Sequence, residues 1–132
     1  MIVVDTSAWV EFLRRSGSAV NERLRSALRA SEDIAVTEVV VAEVLSGART
    51  EQELESWRRL VLGFRVLRLR GLVDYEAAAG LQRACRAAGE PVRGLPDCLV
   101  AVPAILAGAE VLHADGDFET LARHTRLRTV NL

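Results

Sequence analysis

The sequence predicts one α/β domain built on a mainly parallel sheet, and three observations carry that prediction. Short apolar runs alternate with longer segments of helical period, the pattern of strands rejoined through crossover helices. The 132 residues are half apolar, which suits one buried core rather than two, so residues 1–132 read as a single domain. No internal repeat or low-complexity tract breaks the alternation.

The elements follow in order. Ile2 to Val4 reads as a short buried strand, and Ser7 to Arg14 carries Trp9, Phe12 and Leu13 at helical spacing. A helix from about Ser18 to Ala30 precedes a second strand at Asp33 to Val36. Val39 to Leu45 reads as helix despite its valines, because Thr37 and Glu38 suit a helix start and Gly47 its end. The next helix places Leu54, Trp57 and Val61 on one face. Phe64 to Leu69 follows as a strand, with Arg65, Arg68 and Arg70 marking an edge. Tyr75 to Ala88 has Ala78, Leu81 and Cys85 on one stripe, closed by Gly89. Leu99 to Ala107 is apolar all round and is expected to be a central helix covered on every side, bent or interrupted at Pro103. Glu110 to His113 and Leu127 to Val130 complete the sheet, with a helix from Phe118 to Arg123 between them.

Composition excludes several chemistries. All 17 basic residues are Arg, so no step that needs a lysine amine is available, from Schiff bases to a phosphate-loop lysine. A net charge of −1 argues against binding nucleic acid mainly through a large positive field. The opening Met1-Ile2-Val3-Val4-Asp5 lacks the basic segment of a secretory signal, and the longest apolar run, Cys98 to Ala107, is half a membrane span. Cys85 and Cys98 fit neither a zinc spacing nor a disulfide framework. The expectation is a soluble cytoplasmic protein without membrane contact.

The acids carry the information. Asp5 ends the first strand and Asp115 lies just past the strand at Val111 to His113, where open parallel sheets bind ligands. Asp97 opens the apolar helix after Pro96, and Glu43 shares a helix face with Val39, Val40 and Gly47, an expensive place for an unpartnered charge. Capping offers an alternative for Asp5, for Asp97 in a first turn, and for Asp117 before Phe118. Glu43 lies mid-helix and resists that reading. Converging carboxylates repel one another, and a hard divalent cation such as Mg²⁺ resolves the repulsion with oxygen ligands alone.

The ordered set Val3-Val4-Asp5-Thr6-Ser7, Glu43 with Gly47, Asp97-Cys98-Leu99-Val100-Ala101 and Asp115-Gly116-Asp117-Phe118 resembles the four acidic motifs of PIN-domain ribonucleases. The likeness is greatest to VapC-type toxins of bacterial toxin-antitoxin pairs, and it spans essentially the whole chain. The resemblance implies a three-layer α/β/α sandwich and Asp5, Glu43, Asp97 and Asp115 as metal-binding catalytic acids. It implies Asp117 as a nearby fifth acid for the metal and the Ser7 hydroxyl as the group orienting Asp5 or a metal water. Mg²⁺ or Mn²⁺, a homodimer, structured RNA such as tRNA as substrate, and a cognate VapB-type antitoxin covering the site follow from the same likeness. Gly116 stands where members often carry a basic residue, and Pro103 interrupts a helix usually rich in alanine.

Other residues read as structural. His113 sits at a strand end and His124 at a solvated helix end. Trp9 and Trp57 fit a core or dimer contact, and burial raises the Cys98 pKa. Arg58 to Arg70 form the best basic patch. Asp5-Thr6-Ser7 also fits the start of a metal-dependent adhesion site, but Trp9 stands where a further hydroxyl belongs. Receiver and dehalogenase phosphotransfer domains want a lysine, and a calcium loop opening at Asp115 would end on Arg126, the wrong charge. The function expected is therefore a metal-dependent endoribonuclease, the alternative a PIN-like interaction module without catalysis.

Overall fold

The computed structural model describes residues 1–132. Its elements are β1 (Ile2–Val4), α1 (Thr6–Leu13), α2 (Ala19–Arg29), β2 (Ile34–Thr37), α3 (Glu38–Ser46), α4 (Glu51–Val61), β3 (Arg65–Leu67), α5 (Leu72–Ala87), α6 (Leu95–Leu106), β4 (Glu110–Leu112), α7 (Gly116–His124) and β5 (Arg128–Thr129). Five helices open where the sequence supplies an oxygen acceptor. The side chains of Asp5, Ser18, Thr37, Thr50 and Asp115 accept from the amides of Ser7, Asn21, Val40, Glu53 and Asp117. Each such cap stabilises its helix by about 1 kcal/mol.

The five strands form one parallel sheet in the order β3-β2-β1-β4-β5. Val3 is level with Ala35 on one side and Val111 on the other. β1 and β2 are wholly buried and rich in Val and Ile, as a two-sided parallel sheet requires. The edge strands expose Arg65 and Arg128 instead, charges that discourage further pairing.

The chain steps outward from β1 to β3, then returns past β1 to β4 and β5. Right-handed crossovers put α1 to α4 on one face and α5 to α7 on the other. The packing agrees, since α1 meets α2 and α3, α3 meets α4, and α5, α6 and α7 meet one another. The result is a three-layer α/β/α sandwich with a core of 28 buried residues. The direction of winding reverses between β1 and β4, so a crevice opens there beyond the carboxyl ends of the strands.

Several expectations need correction. α6 runs through Pro103 without interruption, because the missing amide costs one hydrogen bond while the surrounding residues from Val100 to Ala104 are buried in the core. Nor is α6 covered on every side: Leu95 and Leu106, near its two ends, are 44 % and 56 % exposed. α5 begins at Leu72 rather than Tyr75, since Gly71 adopts φ +100° and Arg70 holds first-turn Asp74 through its amide at 2.6 Å and its guanidinium at 2.8 Å. The helix cap before Phe118 is Asp115, not Asp117.

The arginine patch is divided. Arg58 and Arg59 end α4, which leads into Arg65 at the amino end of β3, whereas Arg68 and Arg70 follow its carboxyl end. His124 is not a solvated helix end; it is half-buried and faces the Glu90 carboxylate at 2.9 Å. Trp9 is fully buried against Phe12 and Phe64, with ring centroids 5.9 and 5.8 Å away. Both cysteines are buried and free, and burial pushes the Cys98 thiol up to about 11.

Candidate active site

Asp5 leaves β1 and caps α1, with Oδ2 accepting from the Ser7 amide at 2.9 Å and the Ser7 hydroxyl at 2.6 Å. The same hydroxyl accepts the Ala114 amide at 2.9 Å, so Ser7 ties the end of β1 to the end of β4 across the crevice. Asp5 is buried, and burial raises its pKa; the Ser7 hydrogen bonds pull it back, and the Glu43 charge pushes it up again.

Asp115 caps α7, its Oδ1 accepting the Asp117 amide at 3.0 Å. Its own amide donates to His113 Nδ1 at 3.2 Å, which assigns the ring proton to Nε2, facing Glu119 at 2.8 Å. The His113 ring also lies 5.2 Å from Phe118, so this histidine braces the turn that carries Asp115.

Asp97 stands in the first turn of α6. Carboxylate oxygens of Asp97, Asp115 and Asp117 all lie within 4.8 Å of one another. Asp97 is raised from 3.8 to about 7, first by burial, then by the charges of Asp115 and Asp5. The N-termini of α1, α6 and α7 point their partial positive charge at these acids, but three helix ends offset only part of the charge.

Glu43 comes from α3 in the opposite helical layer. It is exposed, contrary to the buried face expected, because its side chain diverges from buried Val40 and Val44. Its Oε1 accepts the Thr6 hydroxyl at 2.7 Å, which brings it to the crevice beside Asp5. Glu43, Arg93, Gly94, Pro96, Asp97, Asp115 and Asp117 line a pocket of about 370 Å³. Asp5 lies buried beside it, close enough to raise the pKa of Asp97.

Two site residues escape sequence reasoning. Thr6 holds Glu43 from a distance of 37 positions, and the motif it belongs to, Val3-Val4-Asp5-Thr6-Ser7, does not point to that partner. Arg93 donates from Nη2 to Asp115 Oδ1 at 2.6 Å, and from Nε and its amide to Asp117 Oδ2 at 3.1 and 3.0 Å. The only advance signal was an arginine four positions before Asp97 in a loop, which does not identify its partners.

The donor set is carboxylate oxygen throughout, with no His or Cys lining the pocket. Such a set fits a hard divalent cation that keeps several of its waters, and it fits neither zinc nor copper. Burial first, and then the charges of Asp115 and Asp5, disfavour the ionised form of Asp97, and a bound dication would offset the second of these.

The sequence matches the PIN domain over residues 2–124. The chain belongs to the PIN-domain family. Among its relatives is VapC ribonuclease Mb1587 of Mycobacterium bovis, 43% identical over 134 residues that cover 99% of this chain and 98% of the relative. Ribonuclease VapC11 of Mycobacterium tuberculosis shows the same identity and coverage, and Ribonuclease VapC51 of that species is 30% identical over 93% of this chain and 86% of its own length. The PIN fold is shared with VapBC2 of Rickettsia felis, solved on a promoter DNA fragment, at a TM-score of 0.72 and 18% identity over 100% of this chain and 99% of that one. VapC20 of Mycobacterium tuberculosis, titled a sarcin-ricin loop cleaving toxin, superposes at 0.70 with 18% identity over 97% and 99%.

Proposed function

We propose that this PIN-domain chain is a Mg²⁺- or Mn²⁺-dependent endoribonuclease, the toxin of a type II toxin-antitoxin pair, acting on structured RNA such as tRNA in the cytoplasm. One observation carries the reading: Asp97, Asp115 and Asp117 converge within 4.8 Å, and burial together with the neighbouring charges lifts Asp97 to about 7. An acid held there for its helix alone has no reason to sit among others.

Asp5, Glu43, Asp97 and Asp115 would hold the cation, with Asp117 as a fifth donor. When bound, the cation supplies the positive charge that the net balance lacks, acidifies water for in-line attack on the phosphodiester and stabilises the leaving oxygen, giving 5′-phosphate and 3′-hydroxyl ends. Ser7 fixes the rotamer of Asp5, and Thr6 fixes that of Glu43. His113 locks the turn of Asp115. The chain thus prepays the ordering of its acidic side chains before substrate arrives.

A groove of about 520 Å³ beside the pocket supports a VapB-type partner. Val10, Leu13, Val44 and Trp57 give it an apolar lining between α1, α3 and α4, and Glu43 lines both groove and pocket. An antitoxin segment laid in the groove would therefore reach the acids. Solved relatives titled VapBC complexes support the same partner. Leu72, Val73 and Tyr75, exposed at the start of α5, support a homodimer. No helix is long and apolar enough to cross a membrane. The inactive interaction module is not favoured, because every acid of the set is retained.

The test is cleavage of RNA by the purified chain, followed by sequencing of the ends. Activity with Mg²⁺ or Mn²⁺, loss in EDTA and 5′-phosphate products are expected. Undiminished cleavage in EDTA, or 2′,3′-cyclic phosphate ends, would overturn the proposal.

A further inference from the structure

Arg93 is the only cationic side chain that lines the acid pocket. Its guanidinium bridges Asp115 Oδ1 and Asp117 Oδ2, yet the side chain is 75 % exposed. Of five N–H donors, the Nε proton and one on Nη2 are spent on the two acids, leaving three free. Its own amide also donates to Asp117 at 3.0 Å, so the backbone stays at the rim whatever the side chain does.

We propose that Arg93 is an exchangeable counter-ion of the acid pocket: it holds Asp115 and Asp117 until a divalent cation takes them, and the released guanidinium then binds a phosphate of the RNA. The inference rests on the nuclease reading above. Its argument is competition for the same two carboxylates. A guanidinium and a dication repel at such distances, and each carboxylate satisfied by one is denied to the other. The carboxylates are mostly buried but the guanidinium is open to water, which keeps both ion pairs modest, so the exchange costs the cation about tenfold in affinity rather than excluding it.

Once displaced, the guanidinium needs an anion. The planar fork suits a phosphate bidentately, the charge is permanent, and the backbone amide keeps it beside the scissile position. This gives the chain a phosphate contact at the pocket despite its net charge of −1 and the absence of lysine.

The experiment compares the full chain with Arg93→Ala and Arg93→Lys in two binding measurements. Free Mn²⁺, followed by electron paramagnetic resonance, is expected to titrate onto Arg93→Ala with a Kd about tenfold lower than onto the unaltered chain, and onto Arg93→Lys with an intermediate one. Anisotropy of a fluorescein-labelled RNA hairpin with Mn²⁺, read at 4 °C within seconds of mixing, is expected to show affinity reduced about tenfold in Arg93→Ala. Its dependence on log salt should flatten by about 0.7, one phosphate contact, with partial rescue by Arg93→Lys. If Arg93→Ala does not fold, Arg93→Lys decides, because it keeps the charge and loses the fork. Mn²⁺ affinity equal or weaker in the variants, or RNA affinity and salt slope unchanged, overturns the exchange while leaving the nuclease reading intact. An unaltered chain that binds no Mn²⁺ overturns both.

Discussion

Replacing Asp97 by Asn asks whether the pocket, by burial and by crowded charge, disfavours an ionised carboxylate in the absence of metal. A carboxyl held at about 7 against an ordinary 3.8 corresponds to about 4 kcal/mol of disfavoured ionisation. The group is partly open to water, and solvent screening reduces this to about 2 kcal/mol. Against it stands the favourable first-turn position in α6, about 0.5 kcal/mol. The ionisation penalty, from burial first and neighbouring charge second, wins by about 1.5 kcal/mol, so in EDTA at pH 8 the variant should melt roughly 5 °C higher. The folded pKa is raised, so the folded chain keeps a proton that the unfolded chain sheds between about pH 4 and 7. Stability of the unaltered chain therefore declines as pH climbs through that window, and the penalty is complete above it. Asn carries no such proton. Melting curves by circular dichroism from pH 4 to 8 should show the gap opening across the window and closing at pH 4. A variant that melts lower at pH 8, or a gap independent of pH, would refute the reasoning and return Asp97 to the role of a helix-end acid.

Ser7→Ala removes two hydrogen bonds, one of them to a buried carboxylate, and should cost about 1.5 kcal/mol in thermal or urea denaturation. It also frees the Asp5 pKa to rise further, so Mn²⁺ titrations should need a higher pH to saturate; an unmoved pH profile would count against Ser7 as a group that lowers the Asp5 pKa. Glu43→Gln should shift stability by no more than about 0.5 kcal/mol while cleavage falls by roughly a hundredfold or more. Glu38→Gln is the comparison, because its side chain accepts the Leu69 amide at 2.8 Å, a bond that Gln preserves, and pairs only with exposed Arg68 at 3.7 Å, so cleavage should not change. If Glu43→Gln cuts RNA at full rate, Glu43 leaves the site. Trp57→Ala truncates the largest side chain of the apolar groove and should weaken a co-purified antitoxin complex by about 2 kcal/mol in calorimetry. An unchanged Kd would move the partner elsewhere.

Strand and helix order was legible because a parallel sheet buried on both faces writes itself as continuous apolar runs, as at Ile2 to Val4 and Ile34 to Val36. The positions of Asp5 and Asp115 followed from the same pattern, since each closes a strand. Pro103 and the start of α5 did not follow. Local propensity argued for a break at Pro103, and tertiary burial overrode it; at Leu72, exposed apolar residues hid the helical phase. The Arg58 to Arg70 patch misled because chain proximity says nothing about which end of a strand a residue occupies. Helical spacing points Glu43 toward the pocket but not to its exposure, for it gives direction only to within a side chain's reach. Arg93 was invisible because its partners lie 22 and 24 positions away, across α6 and β4.

The central place of β1 has a consequence for how the chain is made. β1 pairs with β2 early, but its other neighbour, β4, is synthesised about a hundred residues later. Until then the growing sheet ends in a naked, fully apolar strand, the kind of edge that recruits other chains. Asp97 and Asp115 arrive in that same late stretch. A chain cut before residue 110 keeps Asp97 but lacks β4, Asp115 and Asp117, so the stretch that seals the sheet is also the one that completes the acid cluster.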